Sequence, residues 1–339
     1  MSVLRWGQVG GRSHSRPARW FYCHLGLLGA LALAGALPAF ADQAEEGHSL
    51  ALNVENDGPL GTDRYYTAGT HLTYWSADNA MPRWLRRFSD WLPAAGLRPA
   101  AHKFGLEIGQ EIFNPELLST SELVLNDRPY AGWLYLGAGL RRRGLGLGAV
   151  PAVETVRLDL GVVGPLAFAE ETQAIAHQDD PKGWDNQLDD EFGVALRYEQ
   201  RSLFAARGAG GWGADFIPAA HFSLGNVDTH FGLSVLARGG INVPNEFEAP
   251  ATRTPARWGA YLFVGADGRV VGRNIFLDGN TFEDSHHVDK ETVVADLRSG
   301  FVLALKRVEL VAALDWRSPE FEEQSSWDAF GSATVRYKF

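Results

Sequence analysis

Twelve stretches of the chain alternate between apolar and polar side chains: Leu50 to Asp57, Tyr65 to Trp75, Phe104 to Phe113, Ala131 to Leu140, Thr155 to Val163, Phe192 to Gln200, Asp215 to Leu224, His230 to Arg238, Arg257 to Phe276, Glu291 to Leu305, Val308 to Arg317 and Trp327 to Phe339. A period of two belongs to a β-strand whose faces meet unlike surroundings. In the first segment Leu50, Leu52 and Val54 oppose Asn53, Glu55 and Asp57. From Val308, one face reads Val308, Leu310, Ala312, Leu314 and Trp316, while Glu309, Asp315 and Arg317 fall on the other. Two connections are helical in pattern. Pro82 to Leu92 is amphipathic, which fits a helix at a membrane surface and equally an ordinary packed helix. Ala169 to His177 has helix-forming composition.

A soluble sandwich gives the same alternation with its apolar faces inside. Three features favour the inverted case, a membrane barrel with apolar residues outward. Most of the segments run about 9 to 13 residues, as tilted bilayer-crossing strands do, against about 5 or 6 in sandwiches. Trp and Tyr gather at their ends, as at Tyr65, Tyr66, Trp75, Trp133, Tyr135, Trp316 and Trp327, where membrane interfaces hold aromatic rings. The last residues, Val335 to Phe339, form an alternating strand with an aromatic end.

Ala266-Asp267-Gly268-Arg269 has the composition of a hairpin turn. A break there would give an odd strand count, and an even one is expected when both termini share a side. Arg257 to Phe276 is therefore read as one strand. The expected fold is all-β, a 12-stranded antiparallel transmembrane β-barrel with a short helix in an extracellular loop. A barrel of this size is expected to fill its lumen with side chains and hold little water, unlike a general porin.

Arg5, Arg12, Arg16 and Arg19 precede an apolar run from Leu25 to Leu37 and then Pro38-Ala39-Phe40-Ala41. This is the layout of a secretory signal peptide over residues 1–41, leaving 42–339 as the barrel domain. Its loss removes four arginines and no acids, taking the formal charge from -10 to -14. So acidic a chain is a poor partner for nucleic acid. Its single cysteine, Cys23, leaves with the signal, so disulfides, thiol chemistry and Cys-ligated zinc are excluded from the mature chain. No Gly-x-Ser-x-Gly elbow and no His-Glu-x-x-His pair occurs.

If the first strand runs outward, several unusual residues converge on one rim: Asn56-Asp57, Tyr65-Tyr66-Thr67, Gln110-Glu111, Asn126-Asp127-Arg128 and Gln173 to His177. Loops held by rigid strands commonly present chemistry. Gln173 and His177 are four apart and so share a helix face. A histidine there can activate water as a general base, or can simply complement the helix dipole. Asn56-Asp57 offers the hard oxygen ligands Ca²⁺ prefers, or an Asx turn between two strands. His71, His221 and His230 lie within strands and read as structural.

Val54-Glu55-Asn56-Asp57, Thr62 to Gly69, Asn126 to Trp133, Gly161 to Pro165, Gln173, His177 and Gly183 to Gln187 together resemble the LpxR-type outer-membrane lipid A 3-O-deacylases. The motifs occur in order along essentially the whole mature chain. The resemblance implies a carboxylic ester hydrolase at the extracellular face of the bacterial outer membrane. Such an enzyme uses Ca²⁺ to remove the 3′-linked acyloxyacyl group of lipid A. By position it makes His177 the base, Gln173 its neighbour, Asp57 and Asn56 the organisers of calcium and the reacting carbonyl, and Thr67 part of the pocket. Its partners would be lipopolysaccharide and outer-membrane lipids, and the protein a monomer. The family carries a phosphate-facing lysine in the loop after strand three, but residues 114–127 hold no basic residue. Arg128 is the nearest substitute, either for phosphate or in a structural salt bridge. A non-catalytic barrel binding lipopolysaccharide at the same rim is the alternative.

Overall fold

The computed structural model describes residues 47–57, 64–176, 181–244, 247 and 257–339. The predicted signal peptide lies outside the described residues. Twelve wall strands follow one another: β1 (Ser49–Asn56), β2 (Tyr65–Trp75), β3 (Arg98–Asn114), β4 (Ala131–Leu145), β5 (Pro151–Val163), β6 (Glu191–Ser202), β7 (Trp212–Gly225), β8 (Asp228–Ile241), β9 (Trp258–Asn274), β10 (Val293–Leu305), β11 (Val308–Arg317) and β12 (Asp328–Lys338). A short segment, Phe204–Arg207, continues β6 past Leu203 along the same neighbour, β7. Each strand pairs antiparallel with the next, β6 pairs with β7, and β1 pairs with β12 from Ser49 opposite Lys338 to Asn56 opposite Gly331. The sheet is thus closed and has no free edge.

The expected inversion holds. Leu106, Ile108, Leu136, Leu233 and Leu262 point outward and are exposed, while Glu107, Glu111, Arg157, Asp267 and Arg269 of the other parity line the lumen. An apolar exterior around a charged interior suits strands whose solvent is lipid. The turn-like Ala266 to Arg269 runs straight through β9 in unbroken register with both neighbours. Asp267 there faces inward and accepts from His221 Nε2 at 2.6 Å. His71 likewise meets the Tyr135 hydroxyl at 3.0 Å, and His230 meets Asp228 at 3.2 Å. All three histidines belong to lumen networks.

The interior is roomier than expected. Two cavities of about 780 and 880 Å³ occupy it, because many inward positions carry short side chains and the charged ones pair across the space rather than fill it. Arg157 bridges Glu107 at 2.8 Å and Asp159 at 2.9 Å, and Arg197 bridges the same Asp159 at 2.9 Å and Asp228 at 3.3 Å. At the rim where β1 ends, an apolar cluster lines that end of the cavity. Phe276 stacks on Phe113 with centroids 4.0 Å apart, Tyr66 meets Phe330 at 4.9 Å, and Trp133 lies on Tyr135 at 5.4 Å. Phe276 is delivered by a single helical turn, Ile275–Asp278, that follows β9.

β3 and β4 extend farther than the alternation suggests, because Arg141-Arg142-Arg143 continues β4 instead of ending it. Arg141 lies over the Trp75 ring at 4.1 Å. Arg142 faces the outer side and is nevertheless buried. Its Nε donates to Glu154 at 2.6 Å, and its guanidinium also donates to the carbonyls of Ser89, Leu92 and Pro93 at 2.9, 2.8 and 2.7 Å. Those carbonyls belong to the end of helix α1 (Arg83–Trp91) and the two residues after it. Arg142 therefore satisfies the orphan acceptors of a helix C-terminus and holds α1 against the outside of the wall, at the rim shared by β1's start and β12's end.

Candidate active site

A second helix, α2 (Ala169–Ala176), packs on the outside of the wall at the opposite rim. Gly164, at φ +100°, turns the chain out of β5, and its N–H donates to the Gly132 carbonyl at 3.1 Å. Gln110 of β3 faces outward and donates to the Ala167 carbonyl at 2.7 Å, pinning the helix entry. Glu170 and Glu171 lie in the first turn, where negative charge opposes the positive end of the helix dipole. The approach requires a glycine in β4: a Cβ on Gly132 would come within 2.6 Å of the Ala169 Cβ and 2.9 Å of the Ala167 Cβ.

Register defines the floor beneath α2. Asn56 pairs with Ala68, Ala68 with Ile112, and Ile112 with Gly132. One rung across β1 to β4 thus forms an outward-facing strip, and the Pro165 to Ala176 segment packs over its β3 and β4 part. Ile112, Tyr130, Ala169 and Trp184 make a buried cluster there, with Ala68 against it. Trp184 stands 4.9 Å from the Tyr130 ring and donates from Nε1 to Gln173 Oε1 at 3.0 Å.

Unmatched polar atoms collect around the strip. Thr67 is the extra residue of a bulge between the Tyr66–Phe113 and Ala68–Ile112 pairs. It is fully buried, and its Oγ1 has no hydrogen-bond partner. Gln173 Nε2 is buried and unmatched as well. Asn114, the next outward position beyond Ile112, is 0% exposed with both amide atoms unmatched. Buried polar atoms without partners are uncommon and each asks for a reason. The bulge also ties β1 to the strip: Asp57 N–H donates to the Thr67 carbonyl at 3.3 Å and Asn56 Nδ2 to the same oxygen at 3.2 Å. Asp57 is itself fully buried and accepts from the Arg64 N–H.

Asn56 lies on this outward rung, Asp57 and Thr67 adjoin it through the backbone bonds at the bulge, and Gln173 is carried by α2 over β3 and β4. His177 lies outside the described residues. Asn114 was not among the expected site residues, although a polar side chain breaks the outward apolar parity of Leu106, Ile108 and Ile112 there, which is a readable signal.

Arg128 takes its structural alternative, against the expectation that it meets a phosphate. It is 1% exposed, its Nη1 donates to Glu320 at 3.2 Å, and its guanidinium lies 4.8 Å from the Phe113 ring. Its Nε and Nη2 are buried without a hydrogen-bond partner. Burial pulls the Arg128 guanidinium below its usual range, against the pull of Glu320. Burial alone would raise the Glu320 carboxyl, yet Arg317 and Arg128 outweigh it and hold the group below the usual 4.5. Beside this pair Asp127 goes the other way, pushed up by burial, while its oxygens accept the Glu116 and Arg128 N–H groups at 2.7 Å each. A carboxyl with a depressed folded value contributes stability above the unfolded value and loses it as pH falls through the folded one. Thermal melting of the barrel should accordingly carry an acid-side decline that is shallower in Glu320→Gln. That variant should also lose about 3 to 5 kcal/mol at neutral pH by stranding Arg128. An unchanged acid limb in the variant would refute the assignment.

Comparison with known proteins follows the same lines. A family profile described as "Outer membrane protein LpxR" matches residues 27–339. LpxR from Salmonella typhimurium superposes with a TM-score of 0.66 at 20% identity, covering 86% of this chain and 100% of that one. The β domain of the Bordetella autotransporter BrkA follows at TM-score 0.43 and 12% identity, covering 87% and 100%. No curated protein matches the sequence. With the profile spanning nearly the whole closed barrel, the chain belongs to the LpxR family of outer membrane proteins.

Proposed function

We propose that the chain is a calcium-dependent carboxylic ester hydrolase that removes the 3′-linked acyloxyacyl group of lipid A at the extracellular face of the outer membrane. The observation that carries this reading is the set of buried, unmatched polar atoms of Thr67, Asn114 and Gln173 beside the outward rung against which α2 packs. A lipid's ester can reach such a groove from within the leaflet. Membership of the LpxR family supports the same substrate class.

The donor set suits calcium. The Asp57 carboxylate, the Asn56 amide oxygen and the unmatched Thr67 Oγ1 are all hard oxygens, with no nitrogen or sulfur ligand needed. When bound, Ca²⁺ would supply positive charge where an ester carbonyl develops oxyanion character. His177, four residues beyond Gln173, is assigned as base. Its imidazole takes a proton from water as the water oxygen bonds to the ester carbonyl carbon. The carbon–oxygen bond to the sugar then breaks, and the imidazolium returns the proton to the departing sugar oxygen. The products are a free acyloxy fatty acid and a 3′-hydroxyl. Gln173, fixed by the Trp184 indole, keeps its Nε2 free to orient the water or the carbonyl.

The test is mass spectrometry of lipid A incubated with the purified protein, with calcium or with EDTA. A mass loss equal to one acyloxyacyl group, abolished by EDTA and restored by added Ca²⁺, is expected. Lipopolysaccharide binding without any product would favour the non-catalytic reading instead.

A further inference from the structure

Helix α1 stands apart from the catalytic proposal, at the other rim. It lies outside the wall, clamped by Arg142 and by Ser89, whose hydroxyl bonds the buried His102 Nδ1 at 2.9 Å. With that face taken, the helix turns Trp84, Phe88 and Trp91 away from the protein, and they are 69%, 46% and 75% exposed. Spacings of four and three place the three rings in one stripe, with Phe88 and Trp91 stacked at 6.0 Å. Arg83 and Arg87, also four apart, run beside the stripe, exposed and with no hydrogen bond or ion pair among the described residues. Arg86 is engaged by Asp90 at 3.3 Å and by Asn79 at 2.8 Å.

An aromatic stripe aimed outward is the reverse of a helix packing into a core. Its surroundings explain it: the stripe is continuous with the apolar belt, since exposed Leu145 and Leu147 lie at the same rim and Leu147 packs against Gly96, just past the helix. Rings at the headgroup level with free guanidinium groups beside them match a lipid with an apolar body and an anionic head.

We infer that α1 is a headgroup-level binding site for an anionic glycerophospholipid: its acyl chains meet Trp84, Phe88 and Trp91, and its phosphate is held by Arg83 and Arg87. The inference does not depend on the enzymatic reading.

Native mass spectrometry of the full chain in detergent tests it, with phosphatidylglycerol and phosphatidylcholine of identical acyl chains titrated separately. Each arginine near an anionic headgroup is worth about fivefold in binding. Wild type should therefore retain phosphatidylglycerol at least tenfold better than phosphatidylcholine, and R83Q/R87Q should bring the two within about twofold. R257Q/K306Q, the same charge loss on the same rim away from α1, should keep the wild-type preference. Equal retention of both lipids by wild type, an undiminished preference in R83Q/R87Q, or an equal loss in R257Q/K306Q would each overturn the site. Heat-modified gel mobility, expected unchanged in all variants, separates a lost site from a lost barrel.

Discussion

His177→Ala is expected to lower kcat for lipid A deacylation by about 10² to 10⁴, the usual worth of a positioned general base. The barrel should remain folded, because its stability rests on twelve paired strands and lumen ion pairs in which residue 177 takes no described part. KM should move little, since the imidazole acts on water and not on the acyl chains. Gln173→Ala should cost less, with Trp184 left as an unmatched donor. Turnover at the wild-type rate in His177→Ala, with the barrel intact by heat-modified mobility, would leave the groove without its assigned base.

Gly132→Val should be nearly as damaging although it touches no reacting atom. A side chain there meets the Cβ atoms of Ala169 and Ala167 at distances no real contact tolerates. Both belong to the segment that roofs the strip, so the helix has to lift. Displacing a reacting group by about 1 Å costs on the order of 10² in rate. The strand should pair as before, valine being at home in a sheet. Adding Ala169→Gly opens space for the new side chain and should recover part of the loss. A G132V enzyme with full activity would show that α2 does not set the geometry of the groove.

Much of the wall was legible because burial and lipid exposure repeat every second residue. The long β9 is the clearest instance: its inward Asp267 and Arg269 look like a turn in isolation and like a strand in parity. Parity failed where the surroundings changed along a strand. Arg142 and Glu154 are charged at outward positions, which reads as an end to the strand, yet α1 covers them and its carbonyls satisfy the guanidinium. The two readings of Arg128 could not be told apart for a related reason, since its partner Glu320 is 192 residues away and no local pattern announces it. The candidate site residues Asn56, Asp57, Thr67 and Gln173 were singled out through ordered motifs, not periodicity. The placement of Asn56 on the outward rung and of α2 over β3 and β4 follows only from the strand register and the reversal at Gly164, which local sequence does not reveal.

The roof of α2 over the outer wall fixes how the groove is fed. If the proposed function holds, a lipid embedded in the same leaflet would reach it by sliding sideways, without passing through bulk water or the central cavity. Encounter is then a two-dimensional search governed by crowding within the sheet of lipids. In mixed micelles the apparent rate should follow the substrate's mole fraction in each particle, and diluting particles with buffer at constant composition should leave it unchanged.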